Sequence, residues 1–462
     1  MRAIRALGVL LLFVVLLSGC KLSEVQESAT LTIEKGSQSL TIQLVSWRPY
    51  ESANVTNPLG QKIRQFREIH PDIRITILWN DFYGTPSKWL NSAESYKHTD
   101  SDEVPDLIEL VPNQMRFWYQ YGIIEPLPMK ETAMSKYLIT SRDGYALGVK
   151  TKINPLVTYY NKDTFLSLGL EPPSGQWDMD KLSDTIARLK QAGKNVFLPL
   201  TPYSLEWITS LNDGHITAPD GNTFSGYVDS PQAVKAAEWI AGVGTNIEDY
   251  KQRHIGPITA YFPIPYDLLE GGIALAVDYA YGFNLGDVNS YEEIVQKNER
   301  IGIAALPHGL NGVNPAQISG LSMTSQSKHK ELAMELLRYL TADTATLDEE
   351  IAVNTIESNL RYPLKEPMND ERYSIVLQET RRAIPAELYM FNNLESQRVF
   401  MLDRPRAYSE IRSGQPVQSV LKAYAGGLDI DFKKFNRDPA EYDACIASKS
   451  YSDTCVNSLA LH

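Results

Sequence analysis

Between residues 40 and 111 the chain alternates two hydrophobic periods, and this alternation restricts the fold more than any other feature of the sequence. Leu40 to Trp47 has the pattern of a strand, and Leu59, Ile63, Phe66 and Ile69 then recur at helical spacing until His70-Pro71 stops the run. Ile73, Ile75 and Ile77 alternate toward Trp79, and Asp106 to Val111 is a third candidate strand. Strands that alternate with helices imply a parallel sheet covered by helices. An α/β lobe therefore begins near residue 40.

Later helices are marked by caps as well as periods. Asp178 is placed to cap a helix carrying Leu182, Ile186 and Leu189 and ended by Gly193; Ser230-Pro231 opens one with Ala233, Val234, Ala237 and Ile240. Ser327 is expected to open another, with Leu332, Ala333, Leu336, Leu337 and Leu340, while Ile273 to Val277 and Ile301 to Leu306 read as short buried strands. A second α/β region is expected between about 150 and 300. The chain has 462 residues and is 43% hydrophobic, which is enough to fill more than one core.

The amino terminus is of a different kind. Arg2 and Arg5 precede an apolar run from Ala6 to Leu17, too short to cross a bilayer as a helix but suited to an export signal. Leu17-Ser18-Gly19-Cys20 resembles the bacterial lipobox, which implies cleavage before Cys20 and acylation of its thiol; the alternative is an ordinary secretory signal with a chance cysteine. On this reading residues 1–19 are signal peptide and 20–39, rich in Ser, Glu, Thr and Gln, are a polar spacer between lipid and folded body. Export permits a disulfide, and Cys445 and Cys455 either close a short loop or remain two thiols.

Several segments in order resemble the extracellular solute-binding proteins of ABC importers, in the class that includes the sugar-binding proteins. Phe66-Arg-Glu-Ile-His-Pro71 after the first strand, Pro105-Asp106, and Tyr121-Gly122-Ile-Ile-Glu-Pro-Leu127 are similar to the opening part of that family. Tyr159-Tyr-Asn-Lys-Asp-Thr-Phe165, Leu168-Gly-Leu-Glu-Pro-Pro173 and Trp177-Asp178 form the most specific match. Gly271-Gly-Ile-Ala-Leu-Ala-Val-Asp278, Ile301-Gly-Ile-Ala-Ala-Leu-Pro307 and Ser327-Lys-His-Lys-Glu-Leu-Ala333 continue it. The resemblance implies a two-lobed, type II periplasmic-binding-protein-like α/β fold with a ligand cleft between the lobes and hinge closure on binding. It places crossings near Gly148, Ile301 and Asn354. Lobe 1 would comprise 40–148 and 302–355, lobe 2 would comprise 149–301 and 356–430, and 431–462 would be a tail holding the late cysteines.

A sugar offers apolar C–H faces and a rim of hydroxyls, so its binder needs flat aromatic faces and planar amides or carboxylates. In α/β lobes the ligand contacts come from the ends of strands. Trp47, Tyr50 and Glu51 follow the first strand, and Asn154 falls just after the first crossing. Tyr203, Glu206 and Trp207 follow the apolar Val196 to Leu200, and Asp278 and Tyr279 end another strand. From the resemblance, Asn113 and Gln114 stand where relatives carry polar contacts, Tyr281 where they often hold a stacking tryptophan, and Gln317 and Ser319 where the chain often returns to the cleft. Each also has a plainer use: the aromatics as core or hinge packing, the acids as caps or solvated charges. Tyr159 and Tyr160 are expected to pack at the hinge strand.

Other chemistry finds little support. The 7 histidines show no H-x-x-x-H or H-E-x-x-H spacing, and neither a G-x-S-x-G elbow nor a Walker loop is present. Ser325-Gln-Ser-Lys328 matches S-x-x-K without the K-T-G that accompanies it in penicillin-interacting enzymes. No metal, cofactor or catalytic residue is implied. The net charge of −12, about −14 once Arg2 and Arg5 are cleaved off, argues against nucleic acid as a partner. The sequence reading is therefore a monomeric, non-enzymatic, lipid-anchored receptor on the outer face of a cell membrane, delivering a small carbohydrate to permease subunits. The alternatives are a polyamine, metal chelate or peptide as ligand, or a surface-anchored polysaccharide-degrading enzyme.

Overall fold

The structure, a computed structural model, describes residues 30–33, 38–45, 58–80, 104–120, 122–129, 132–141, 143–173, 177–198, 202–219, 221, 223–243, 268, 272–280, 300–309, 312–357, 371–386 and 404–435. Trp47, Tyr50, Glu51, Tyr281, Cys20, Cys445, Cys455 and the side chain of Tyr203 lie outside the described residues.

Two sheets organise the chain. The first contains β1 (Thr30–Ile33), β2 (Gln38–Val45), β3 (Ile73–Asn80), β4 (Leu107–Leu110), β5 (Leu138–Thr140) and β6 (Ala146–Asn154). The second contains β7 (Leu156–Asn161), β8 (Asn195–Phe197), β9 (Ile273–Tyr279) and β10 (Ile301–Ala304), in the order β10-β7-β9-β8. The chain then returns to the first sheet with β11 (Asn314–Met323), giving β1-β3-β2-β4-β11-β6-β5, and β12 (Ala383–Pro385) pairs with the start of β11.

Apolar periodicity determines how each lobe is filled. Leu40, Ile42 and Leu44 of β2 and Ile73, Ile75 and Ile77 of β3 present one face to α1 (Pro58–Ile69), which buries Leu59, Ile63 and Phe66 against them. The opposite face of the sheet packs on α2 (Pro112–Gln120) through Met115, Phe117 and Trp118. In the second lobe α3 (Lys162–Ser167) is capped by Asn161, whose Oδ1 accepts from Thr164 N at 2.7 Å. The Asp178 cap expected for α4 (Met179–Gln191) accepts from Lys181 N at 2.9 Å, and Gly193, at φ 71°, ends that helix. Leu182, Ile186 and Leu189 share their core with α5 (Pro202–Leu211) and with α6 (Pro231–Val243), which Ser230 caps through Ala233 N at 3.2 Å.

Helix α7 (Lys330–Leu340) covers the first sheet but has its cap position at His329, two residues later than Ser327 suggested. Ser327 instead donates from Oγ to Asp106 Oδ1 at 2.6 Å, which ties the loop to the start of β4. Helix α8 (Leu347–Glu357) lies between the sheets, with Leu347 and Ile351 in a core of the first and Ala352 and Val353 in a core of the second. Helix α9 (Glu371–Arg381) adds Tyr373 and Val376 to the latter. Helices α10 (Arg404–Arg412) and α11 (Val417–Phe435) complete the second lobe through Tyr408, Leu421 and Leu428.

Three departures from the sequence reading have local causes. Thr30 to Ile33, inside the expected spacer, form a strand in which Leu31 and Ile33 alternate with threonines. Strand β6 keeps pairing with β11 as far as Asn154, so the chain leaves the first sheet at Pro155, beyond Gly148. Ile301–Ala304 pair with β7, so the return to the first sheet follows Ala304.

Gly302 permits that pairing. A Cβ there would lie 2.0 Å from the Tyr160 ring, which also packs on Phe165 at 4.9 Å between centroids. Gly302→Ala is expected to lower stability by about 2–3 kcal/mol through overpacking. An unchanged midpoint of thermal unfolding would contradict the placement of this ring against β10.

Candidate functional site

The pairing registers place the same end of both sheets at the crossings. β2, β3 and β4 are parallel, and β11 is antiparallel to both β4 and β6, so Val45, Asn80, Leu110 and Asn154 all end on the side where β11 begins. In the second sheet Leu156 is opposite Tyr279 and Thr158 is opposite Ala304, so β9 and β10 also end at the crossing side. Carboxyl ends of parallel strands, where α/β folds present ligand contacts, thus face one another across the crossing segments.

Of the residues singled out in the sequence, Asn154, Gln317 and Ser319 lie by the crossings in the first sheet, and Asp278 and Tyr279 lie there in the second. Asn154 ends β6 and donates from Nδ2 to Gln317 Oε1 at 3.3 Å, its partner in the β6–β11 ladder. The next pair, Lys152 and Ser319, is held by Glu109 of β4. Glu109 accepts from Ser319 Oγ at 2.7 Å, from Thr151 Oγ1 at 3.0 Å and from Lys152 Nζ at 3.1 Å. Glu109 is 1% exposed, so this carboxylate is desolvated and depends on those donors. A register shift between Ser319 and Gly320 aims this cluster.

Asn113 and Gln114 open α2 after β4 and are both buried. Gln114 Oε1 accepts from Val111 N at 3.1 Å, the reach-back of a helix-capping glutamine, and Asn113 Oδ1 accepts from Gln114 N at 3.0 Å. On α5, Glu206 is 4% exposed and Trp207 2%, the indole lying in the core with Leu205 and Ile208. Tyr279 is buried, and its carbonyl accepts from Tyr159 Oη at 2.9 Å, which gives Tyr159 the hinge-packing place expected for it.

Asp278 differs from the others. Its Oδ1 accepts from Tyr279 N at 2.7 Å, and no lysine or arginine pairs with it among the described residues. Burial pushes this carboxyl up to about 7, opposed by that one hydrogen bond. It sits opposite Val157, beside the first crossing, where Ala280 N donates to Pro155 O at 2.8 Å. A carboxyl in this setting accepts strongly from a hydroxyl or an ammonium group.

The sequence reading missed the cluster that joins the crossings. Asn314 is fully buried at the start of β11. Its Oδ1 accepts from Leu156 N at 3.0 Å, and its Nδ2 donates to Leu156 O at 2.8 Å and to Glu379 Oε2 at 2.5 Å. Arg382 ion-pairs with Glu379 at 2.6 Å and donates to Leu306 O at 2.7 Å and Gly312 O at 3.3 Å. One contiguous network therefore holds three passages between the sheets. Burial raises the Glu379 carboxyl, and Arg382 opposes that shift. On α8, Asn354 donates from Nδ2 to Thr151 O at 3.2 Å and Thr355 Oγ1 accepts from Ile153 N at 3.0 Å, which secures the end of β6. Glu109 was missed as well, although a signal for it was available, since a charge inside Leu107-Ile-Glu-Leu110 is one that a buried strand must pair.

Among the described residues no group of three or more His, Cys, Asp or Glu could hold a metal, and no helix is long and apolar enough to cross a membrane.

Comparisons with known proteins agree with this architecture. The sugar-binding protein MalE from Xanthomonas citri superposes with a TM-score of 0.62 at 16% identity, covering 87% of this chain and 100% of that one. The GacH receptor of Streptomyces glaucescens, solved unliganded and with acarbose, gives 0.58 at 16% identity over 85% and 97%. A probable ABC transporter-binding protein of Deinococcus radiodurans is 29% identical over 206 residues, covering 40% of this chain and 44% of that protein. The fold is thus the two-lobed, type II periplasmic-binding-protein fold expected from the sequence. The family model described as bacterial extracellular solute-binding protein matches residues 52–346, more than half of the chain, and the chain belongs to that family.

Proposed function

We propose that this protein is the substrate-binding lipoprotein of an ABC importer, anchored through Cys20, which captures a small carbohydrate between its lobes and delivers it to permease subunits without altering it. The observation that carries the ligand class is the paired polar ladder Asn154–Gln317 and Lys152–Ser319 at the strand ends of the first lobe, with Asp278 at the strand end of the second. Planar amides and a carboxyl suit a rim of hydroxyls. The structural relatives point the same way, since they include a cyclo/maltodextrin-binding protein solved with maltotetraose and the receptor solved with acarbose. The family and these relatives are binding proteins, in keeping with a protein that does no chemistry on its ligand. Cys445 and Cys455 form the tail disulfide of the exported chain, and the protein acts as a monomer whose lobes divide at Pro155 and again after Ala304.

A calorimetric screen of mono- and oligosaccharides tests the ligand class. One saturable carbohydrate is expected, and Asn154→Ala with Gln317→Ala should weaken it by about 10- to 100-fold, two lost hydrogen bonds at about 0.7–1.4 kcal/mol each. Full affinity in the double variant would remove the ladder from the site. A second reading, an amine-bearing solute such as a polyamine, is favoured by one observation, the carboxyl of Asp278, with which no lysine or arginine pairs among the described residues. Spermidine and putrescine belong in the same screen, and binding of either in place of every sugar would establish it.

A further inference from the structure

Charge at the crossings is unevenly settled. On the first-lobe side Glu109 accepts from Ser319, Thr151 and Lys152, so the Lys152 ammonium group already faces a carboxylate. In the network that joins the crossings, Glu379 is matched by Arg382 at 2.6 Å. Asp278, at the end of β9, has no such match. Among the described residues its Oδ1 accepts from the adjacent Tyr279 N at 2.7 Å, and neither oxygen meets a lysine, an arginine or a hydroxyl. Oδ2 takes no hydrogen bond there, yet, unlike Glu379 Oε1, it is not sealed inside the protein. Asp278 thus offers a largely desolvated carboxyl oxygen that a solute can still reach.

The chemistry of the missing partner follows from this setting. A hydroxyl would supply one neutral hydrogen bond. An ammonium group would supply a charge-assisted one, roughly twice as strong, and with it the countercharge that holds the carboxyl ionised against burial. A metal ion needs several oxygens together, and among the described residues no group of three or more His, Cys, Asp or Glu could hold one. A polyamine brings two or more ammonium groups, each of which needs its own partner once desolvated. Glu109 and Glu379 are already committed, so the charge left over suits a single amine.

The rest of the solute meets amides. Val157, opposite Asp278, is three residues past Asn154. Three residues span at most about 11 Å and a paired strand lies about 5 Å away, so Asp278 is within about 16 Å of Asn154. Side chains that reach in from both ends leave room for one or two sugar rings.

We propose that the solute is an amino sugar, its ammonium group bound by Asp278 and its hydroxyls by the Asn154–Gln317 pair. This rests on the carbohydrate reading of the same site and names the class of sugar. Counterparts with a hydroxyl or an acetamido group in place of the amine are weaker ligands, and uronic acids are repelled.

Calorimetry at pH 7 on matched sets tests it. The probes are glucosamine, galactosamine and mannosamine and the β-1,4-linked glucosamine dimer, each beside its hydroxyl and its N-acetyl counterpart, with putrescine as a diamine that lacks a ring. At least one amino sugar is expected to bind 10-fold or more tighter than both of its counterparts. In Asp278→Asn that preference is expected to fall to less than about threefold. A hydroxyl or N-acetyl counterpart that binds as tightly as the amine overturns the proposal and leaves the carbohydrate reading standing. A preference that survives in Asp278→Asn overturns it too, since the amine is then held elsewhere. A panel in which no amino sugar binds also overturns it, and putrescine bound in place of every sugar overturns the carbohydrate reading as well.

Discussion

Asn314→Ala is expected to cost about 3–5 kcal/mol of unfolding free energy, the largest loss from any single truncation at the crossings. The substitution removes both hydrogen bonds to Leu156 and the one to Glu379. Each buried polar group left without its partner costs about 1–3 kcal/mol. Glu379 suffers most, because among the described residues its Oε1 already lacks a hydrogen bond and only Arg382 would remain for Oε2. Urea denaturation measures the loss, and a change below about 1 kcal/mol would mean that Asn314 does not join the crossings. Asn314→Asp should not rescue, since it sets a second carboxylate against Glu379 and offers no donor to Leu156 O.

Asp278→Asn is expected to have opposite effects on stability and binding. The folded-state value of about 7 lies above the unfolded carboxyl value, so the folded chain holds this proton more tightly. The stability that results is fully present below about pH 4 and is lost as the pH rises to about 7. The variant should therefore unfold like the parent near pH 3.5 and be more stable at pH 8, by at most about 4 kcal/mol. Ligand hydroxyls that donate to the carboxylate favour its charged form. Affinity of the parent should then rise through pH 6 to 8, and that of the variant should be flat and about 10-fold or more weaker at pH 8. Destabilisation retained where a ligand is bound is a familiar cost of a binding site. Equal stability at pH 8, together with parallel pH profiles of affinity, would remove Asp278 from the cleft.

The parts of this molecule that could be read from sequence are those set by neighbours within a few residues. β2, α1 and β3 follow from periods that survive in any context, and the Asp178 and Ser230 caps from donors three residues away. The strand ends carrying Asn154 and Asp278 were legible because a parallel sheet presents its carboxyl ends together, whereas Gln317, near the start of the antiparallel β11, followed from the family resemblance. Trp207 was ambiguous because an aromatic beside a strand end can turn either way, and here it faces Leu205 and Ile208. Asn314 was invisible for another reason: its partners Leu156 and Glu379 lie far away in sequence, and nothing beside it announces a buried amide. The β1 edge strand has only four residues in a polar stretch, and its pairing depends on β3 being present.

The central claim is that two lobes close on a solute that leaves unchanged. Small-angle scattering of the soluble chain, with and without the saccharide identified by calorimetry and with the ligand recovered and analysed afterward, tests it most directly. A radius of gyration that falls by about 1 Å or more on saturation, with the saccharide recovered intact, is the predicted result. An unchanged radius at saturation, or a shortened saccharide in the recovered fraction, would contradict it.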